Sequence, residues 1–80
     1  MSVIIRLQNL AWSANALDIR RLFHGLCIPD GGVHIVGGEN GDAFIAFSTD
    51  EDARKAMHMD GALLLQNPIK LYLSSKNEMQ

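Results

Sequence analysis

The stretch of sequence that decides the fold runs from residue 40 to residue 47 and reads Asn40-Gly41-Asp42-Ala43-Phe44-Ile45-Ala46-Phe47. Side chains in a β-strand point alternately to the two faces of a sheet. We therefore expect Ala43, Ile45 and Phe47 to face a hydrophobic core and Phe44 to face the opposite side. The inward half of this strand predicts the fold, and the outward half bears on function.

On either side of this strand, strand and helix patterns follow one another in the order βαββαβ. The glycine-rich run Gly37–Gly41 predicts a hairpin turn into the strand. Asn15, followed three residues later by Asp18, has the spacing of a capping box and predicts a helix start, and Thr49 before three acidic residues predicts a second one. This order is typical of the split βαβ arrangement. We predict an α+β, ferredoxin-like sandwich: a four-stranded antiparallel sheet with two helices on one face.

The last predicted strand, Pro68–Leu73, follows a connector over residues 62–67. Alternation along this strand places Lys70 and Tyr72 outward and Ile69, Leu71 and Leu73 inward. The domain is expected to cover residues 1–75, with 76–80 as a C-terminal tail or linker.

Composition limits the range of functions. The 80 residues carry a formal net charge of −2, which is the wrong sign for a general attraction to phosphates. Any contact with nucleic acid must therefore be local. A lone cysteine, Cys27, permits neither an internal disulfide nor a cysteine-based zinc site, and it is expected to be buried. No apolar run approaches the ~18 residues of a membrane span. We expect no metal, no cofactor and no membrane contact, and the absence of a nucleophile–base pair argues against an enzyme.

The strand quoted first resembles the third strand of RNA recognition motifs, whose pattern is Lys/Arg-Gly-Phe/Tyr-Gly/Ala-Phe-Val-x-Phe/Tyr. Asn40 and Asp42 occupy the basic and aromatic positions, whereas the other positions fit. Ile5-Arg6-Leu7-Gln8-Asn9-Leu10 resembles the first strand of that family, with Arg6 at its aromatic position. The resemblance implies a noncatalytic RNA-binding domain of a nuclear or nucleocytoplasmic protein with a role in mRNA processing.

The loop after the first strand resembles a subgroup, the quasi-RNA-recognition motifs of the heterogeneous nuclear ribonucleoprotein F/H family. Those domains bind guanine tracts with loop residues instead of sheet aromatics. Trp12 matches the tryptophan of that group, but Gln8 and Pro68 stand where an arginine and a tyrosine are expected.

Single-stranded RNA is the leading candidate partner. Phe44 and Tyr72 can stack on bases, while Arg6 and Lys70 can contact phosphates. An alternative for Phe44 is that the C-terminal tail or a partner covers its ring. The full set of candidate RNA-binding residues is Arg6, Gln8, Trp12, Phe44, Lys70 and Tyr72.

A rival hypothesis is a domain that keeps the fold but binds a protein or a second copy of itself. At most two side chains of the Leu63–Leu65 run can face the core, and exposed apolar area often marks a partner surface. The candidate residues for this role are Trp12, Leu63 and Leu65. Trp12 is expected to be partly buried as a lid over the edge of the core, and His34 is expected to be a solvated surface residue.

Overall fold

The computed structural model describes residues 3–74, and its main feature is a four-stranded antiparallel sheet. Its strands are β1 (Val3–Gln8), β2 (Val33–Gly37), β3 (Asp42–Phe47) and β6 (Lys70–Ser74), and they lie in the order β2-β3-β1-β6. Two helices complete the sandwich, α1 (Ala16–Leu22) and α2 (Asp50–Met57). A short hairpin between β4 (Leu63–Leu64) and β5 (Asn67–Pro68) precedes the last strand. The predicted ferredoxin-like fold is confirmed.

Both helices begin where the sequence predicts. Asn15 and Asp18 form a reciprocal capping box at the start of α1, with each side chain accepting a hydrogen bond from the other residue's backbone N–H. At α2 the Thr49 hydroxyl accepts from the Asp52 N–H at 3.1 Å. The Asp52 carboxylate also accepts from the Cys27 N–H at 3.0 Å, which ties α2 to the segment that leaves α1.

The core lies between the helices and one face of the sheet. Ile5, Ile45 and Phe47 are fully buried there, and Phe47 meets Phe23 edge to face with ring centroids 5.4 Å apart. Ala53 and Ala56 let α2 lie close to the sheet because they carry little side-chain volume. The alternation predicted for β3 is confirmed on this face.

Two local predictions were wrong, and a third was right only in part. Leu73 lies on the helix side of β6, as alternation predicted, but it is not buried: it is 67% exposed, because it sits in an open recess beside α2 that no other element fills within residues 3–74. Cys27 is exposed; it lies in the connection after α1, where its N–H donates to Asp52 and its carbonyl accepts from the Ser48 N–H. The predicted connector contains the β4–β5 hairpin, which takes Pro68 out of the last strand. The predicted tail, residues 76–80, lies outside the described residues.

Candidate nucleic-acid interface

The sheet face opposite the helices carries most of the candidate RNA-binding residues. Antiparallel pairing sets Arg6 between Phe44 on β3 and Tyr72 on β6, and sets Gln8 opposite Lys70. His34 pairs with Phe44 from the edge strand β2 and is exposed, as predicted. Five of the six candidates therefore share one face, and they come from β1, β3 and β6.

A polar network links β1 and β3 on this face. The Arg6 Nη2 donates to Asp42 Oδ2 at 3.2 Å, and Gln8 Nε2 donates to Asp42 Oδ1 at 3.0 Å. The hydrogen bond from Arg6 lowers the pKa of Asp42 below its ordinary value, partial burial opposes that shift, and Gln8 reinforces it. Asp42 is thus held as a carboxylate and its charge is paired. The same ion pair also engages the guanidinium of Arg6.

The Phe44 ring is much less accessible than an open stacking platform requires. Phe44 is only 7% exposed and forms a small cluster with Ile4 and Ala46, separate from the main core. The Arg6 guanidinium carbon lies over the ring, 6.0 Å from its centroid, at the limit of a cation–π contact. The Phe44 ring is covered, and Arg6, which the sequence did not predict in this role, is one of the groups over it. The alternative predicted from the sequence, cover by the C-terminal tail or a partner, stays a prediction, since the tail lies outside residues 3–74.

The β6 side of the face is open. Tyr72 is 45% exposed, and Lys70 is exposed beside Gln8. Below them a polar recess of about 330 Å³ is lined by Gln8, Asn9, Glu39, Asn40 and Lys70. Sequence reasoning missed Asn9, Glu39 and Asn40 as neighbours of Lys70. The sequence indicates this group of neighbours only indirectly, through the expected strand order. When β1 pairs with both β3 and β6, the loop before β3 and the start of β6 meet at the end of β1.

Loops extend the candidate interface past this end of the sheet. The Asn9 side chain donates to the Pro68 carbonyl at 2.8 Å, and this contact places the β4–β5 hairpin next to the chain leaving β1. Trp12 lies in the loop that follows and is 97% exposed, so the expected partial burial was wrong. A loop of small and polar residues on either side of Trp12 offers the indole nothing to pack against.

The hairpin itself presents apolar side chains to solvent. Leu64 is buried, whereas Leu63 is 68% and Leu65 is 48% exposed, in line with the expected limit on how many of the three can face the core. Leu65 and Gln66 form the turn with φ values of 50° and 73°. This left-handed region is unfavourable for a leucine, which makes the outward position of Leu65 a strained one.

The described residues offer no metal site, because no group of three or more histidine, cysteine, aspartate or glutamate side chains comes together within 3–74. Neither helix in this range is long and apolar enough to cross a bilayer.

Comparison with known proteins identifies the family. The family model for the RRM domain, the RNA recognition motif, matches residues 5–80. The chain belongs to the RRM family. The full chain is 59% identical to a part of human RNA-binding protein 12 and 56% identical to a part of human RNA-binding protein 12B. It spans only 9% and 8% of the lengths of those two proteins.

Solved structures give the same fold for this RRM. The Glorund qRRM2 domain superimposes with a TM-score of 0.91 at 24% identity, covering 99% of this chain and 96% of that one. Human G-rich RNA sequence binding factor 1 follows with a TM-score of 0.85 at 24% identity, covering 96% of this chain and 84% of that chain. At such identities the likeness concerns the fold alone.

Proposed function

We propose that this RRM is a noncatalytic module that makes weak, atypical contacts with single-stranded RNA through the open part of its sheet face and the adjoining Trp12 loop. The observation that carries the proposal is the exposed pair Tyr72 and Lys70 beside Gln8, on the face where RRMs stack bases. The names of the similar proteins, RNA-binding proteins 12 and 12B, support it. We further propose that the domain serves a larger RNA-associated protein of the nucleus or of nucleus and cytoplasm.

Each open residue has a defined chemical task. Tyr72 offers a ring for stacking on a base, worth ~1–3 kcal/mol in such platforms. Lys70 offers an ammonium group to a phosphate, which fixes register without reading sequence. The amides of Gln8 and Asn40 can contact base edges in the recess at the end of β1. Trp12 adds a second exposed ring.

The affinity should be low for two reasons. Within the described sheet face Tyr72 is the only aromatic ring that is substantially exposed, because Phe44 is covered. The net charge of −2 adds no general attraction.

The test is an NMR titration of the isotope-labelled domain with hexamers of uridylate, adenylate, cytidylate and guanylate at low salt. We expect shifts at Lys70 and Tyr72 with at least one hexamer, and weaker binding by Lys70→Ala and Tyr72→Ala. Lys55→Ala is the matched control, because it removes the same charge from an exposed lysine of α2 on the helix side. An absence of shifts at Lys70 and Tyr72 with all four hexamers would refute the proposal.

A second candidate function, self-association or protein binding, is favoured by the exposure of Trp12, Leu63 and Leu65. Exposed apolar side chains on a monomer are common. A leucine held in a strained turn and pointing to solvent is less common, and such strain is typical of functional sites. Sedimentation velocity over a wide concentration range tests the self-associating form. A dimer that Trp12→Ser weakens supports it, and a monomer at every concentration rules it out.

A further inference from the structure

Arg6 occupies a special place on the sheet face. Its guanidinium lies over the Phe44 ring, and Asp42 anchors it there from the same strand as that ring. A guanidinium is planar and stacks on aromatic faces, as a nucleobase does. One of the groups above Phe44 is therefore a side chain of the domain itself, 6.0 Å from the ring centroid, on the face where an RRM stacks a base.

We propose that Arg6 is an internal competitor of RNA: it occupies the base-stacking position above Phe44, and a nucleobase can use that ring only after Arg6 has moved away. This inference deepens the proposed function, since it concerns the same sheet face and assumes single-stranded RNA as the ligand. It gives Arg6 a different role from that of a simple phosphate contact.

The network around Arg6 is built to hold it in place. Asp42 is only 16% exposed in its side chain, and Gln8 fixes its second oxygen, so the carboxylate cannot readily turn away from Arg6. The hydrogen bond from Arg6 lowers the pKa of Asp42 below its ordinary value, as expected when the pair stabilises the carboxylate that anchors the guanidinium.

The contact between Arg6 and Asp42 leaves one donor of the guanidinium without an acceptor. The Nε of Arg6 is buried and has no hydrogen-bond partner within residues 3–74. A buried donor without an acceptor is unfavourable. Moving Arg6 out to solvent would hydrate that donor, which offsets part of the lost ion pair. In this arrangement Arg6 covers the Phe44 ring, but it can still move away from it.

The decisive variant is the double substitution Arg6→Ala with Asp42→Asn, which removes both partners and leaves the net charge unchanged. Its matched control is Lys55→Ala with Glu51→Gln, which removes an exposed ion pair on α2, also at constant net charge. A triple variant adds Phe44→Leu to the first pair and so removes the ring while keeping an apolar side chain.

The RNA ligands are the uridylate and adenylate hexamers, with affinity measured at one fixed low salt concentration. One gained stacking contact should tighten binding by the Arg6/Asp42 variant about five- to a hundredfold relative to wild type. The control pair should match wild type, and Phe44→Leu should abolish the gain. A second readout needs no RNA: a soluble gadolinium chelate should broaden the Phe44 ring protons in the Arg6/Asp42 variant and spare them in wild type.

Each outcome either supports or overturns the competition between Arg6 and RNA. A Phe44 ring that stays protected in the Arg6/Asp42 variant, an exposed ring without tighter binding, or a gain that survives Phe44→Leu would each overturn the proposal. Wild-type binding at Lys70 and Tyr72 with no gain in the variant leaves the proposed function intact and removes only the competition. The reverse, binding by the variant alone, supports the competition and refutes wild-type RNA binding.

Discussion

Gly41 is the residue through which the loop before β3 reaches the end of β1, and its replacement by alanine tests that contact. Gly41 has φ +60°, and a Cβ built on it would lie 2.6 Å from both the backbone N and O of Leu10. Two backbone hydrogen bonds close the same junction, from Asn9 N–H to the Asn40 carbonyl at 2.8 Å and from Leu10 N–H to the Gly41 carbonyl at 3.1 Å.

The magnitude follows from these contacts. A left-handed backbone costs a residue with a Cβ about 1–2 kcal/mol. The clash is with backbone atoms, so the loop must move and weaken both hydrogen bonds, each worth about 0.5–1.5 kcal/mol. Gly41→Ala should therefore lower the free energy of unfolding by about 2–5 kcal/mol, a large share of the stability of so small a domain.

Gly38→Ala is the control, because Gly38 also has a positive φ, +76°, but nothing lies within 4 Å of its added Cβ. It should cost only the conformational part, about 1–2 kcal/mol. Urea unfolding followed by far-ultraviolet circular dichroism measures both variants. Equal midpoints for the two variants would refute the close-contact argument, and a Gly41→Ala midpoint equal to that of wild type would refute the backbone argument as well.

Three further predictions concern the core, the loop and the sheet face. Phe47→Ala removes a fully buried ring from its edge-to-face contact with Phe23 and should cost about 3–5 kcal/mol in urea unfolding; a loss below 1 kcal/mol would contradict the packing. Trp12 is the single tryptophan and is 97% exposed, so its fluorescence maximum should hardly move on unfolding, and a clear red shift would show a buried indole. The pKa of Asp42 is lowered by folding, so its contribution to stability is present above the ordinary value of 3.8 and is lost as pH falls through the lower folded value. Between about pH 6 and about pH 3 the wild type should therefore lose more stability than Asp42→Asn, and parallel urea midpoints would argue against the pair.

The fold could be predicted because its signals are local and agree with one another. Ala43, Ile45 and Phe47 follow strict alternation, and the Asn15 cap needs only its own side chain and the next turn of backbone. The outward position of Lys70 and Tyr72 also follows from alternation, and the pairing of the last strand with β1 then places them on the same face as Arg6 and Gln8.

The errors arose where tertiary contacts decide. Alternation gives the side on which Leu73 lies, but only the position of α2 determines whether anything covers it. The hairpin was missed because Leu65-Gln66 has none of the glycine or asparagine typical of a left-handed turn. Phe44 is covered in part by the guanidinium of Arg6 on β1, which Asp42 on β3 holds in place. Neither Arg6 nor Asp42 alone predicts this contact from the sequence.

The placement of β1 in the middle of the sheet affects how the protein is made. β1 pairs with β3 on one side and with β6 on the other, yet β6 begins at Lys70, more than sixty residues along the chain from Val3. During synthesis the apolar start of β1 has an unpaired edge until the last strand has left the ribosome, and such edges invite pairing with other chains. The nascent domain is therefore vulnerable until residue 74 is available, and a chain that stops before Lys70 cannot complete its sheet.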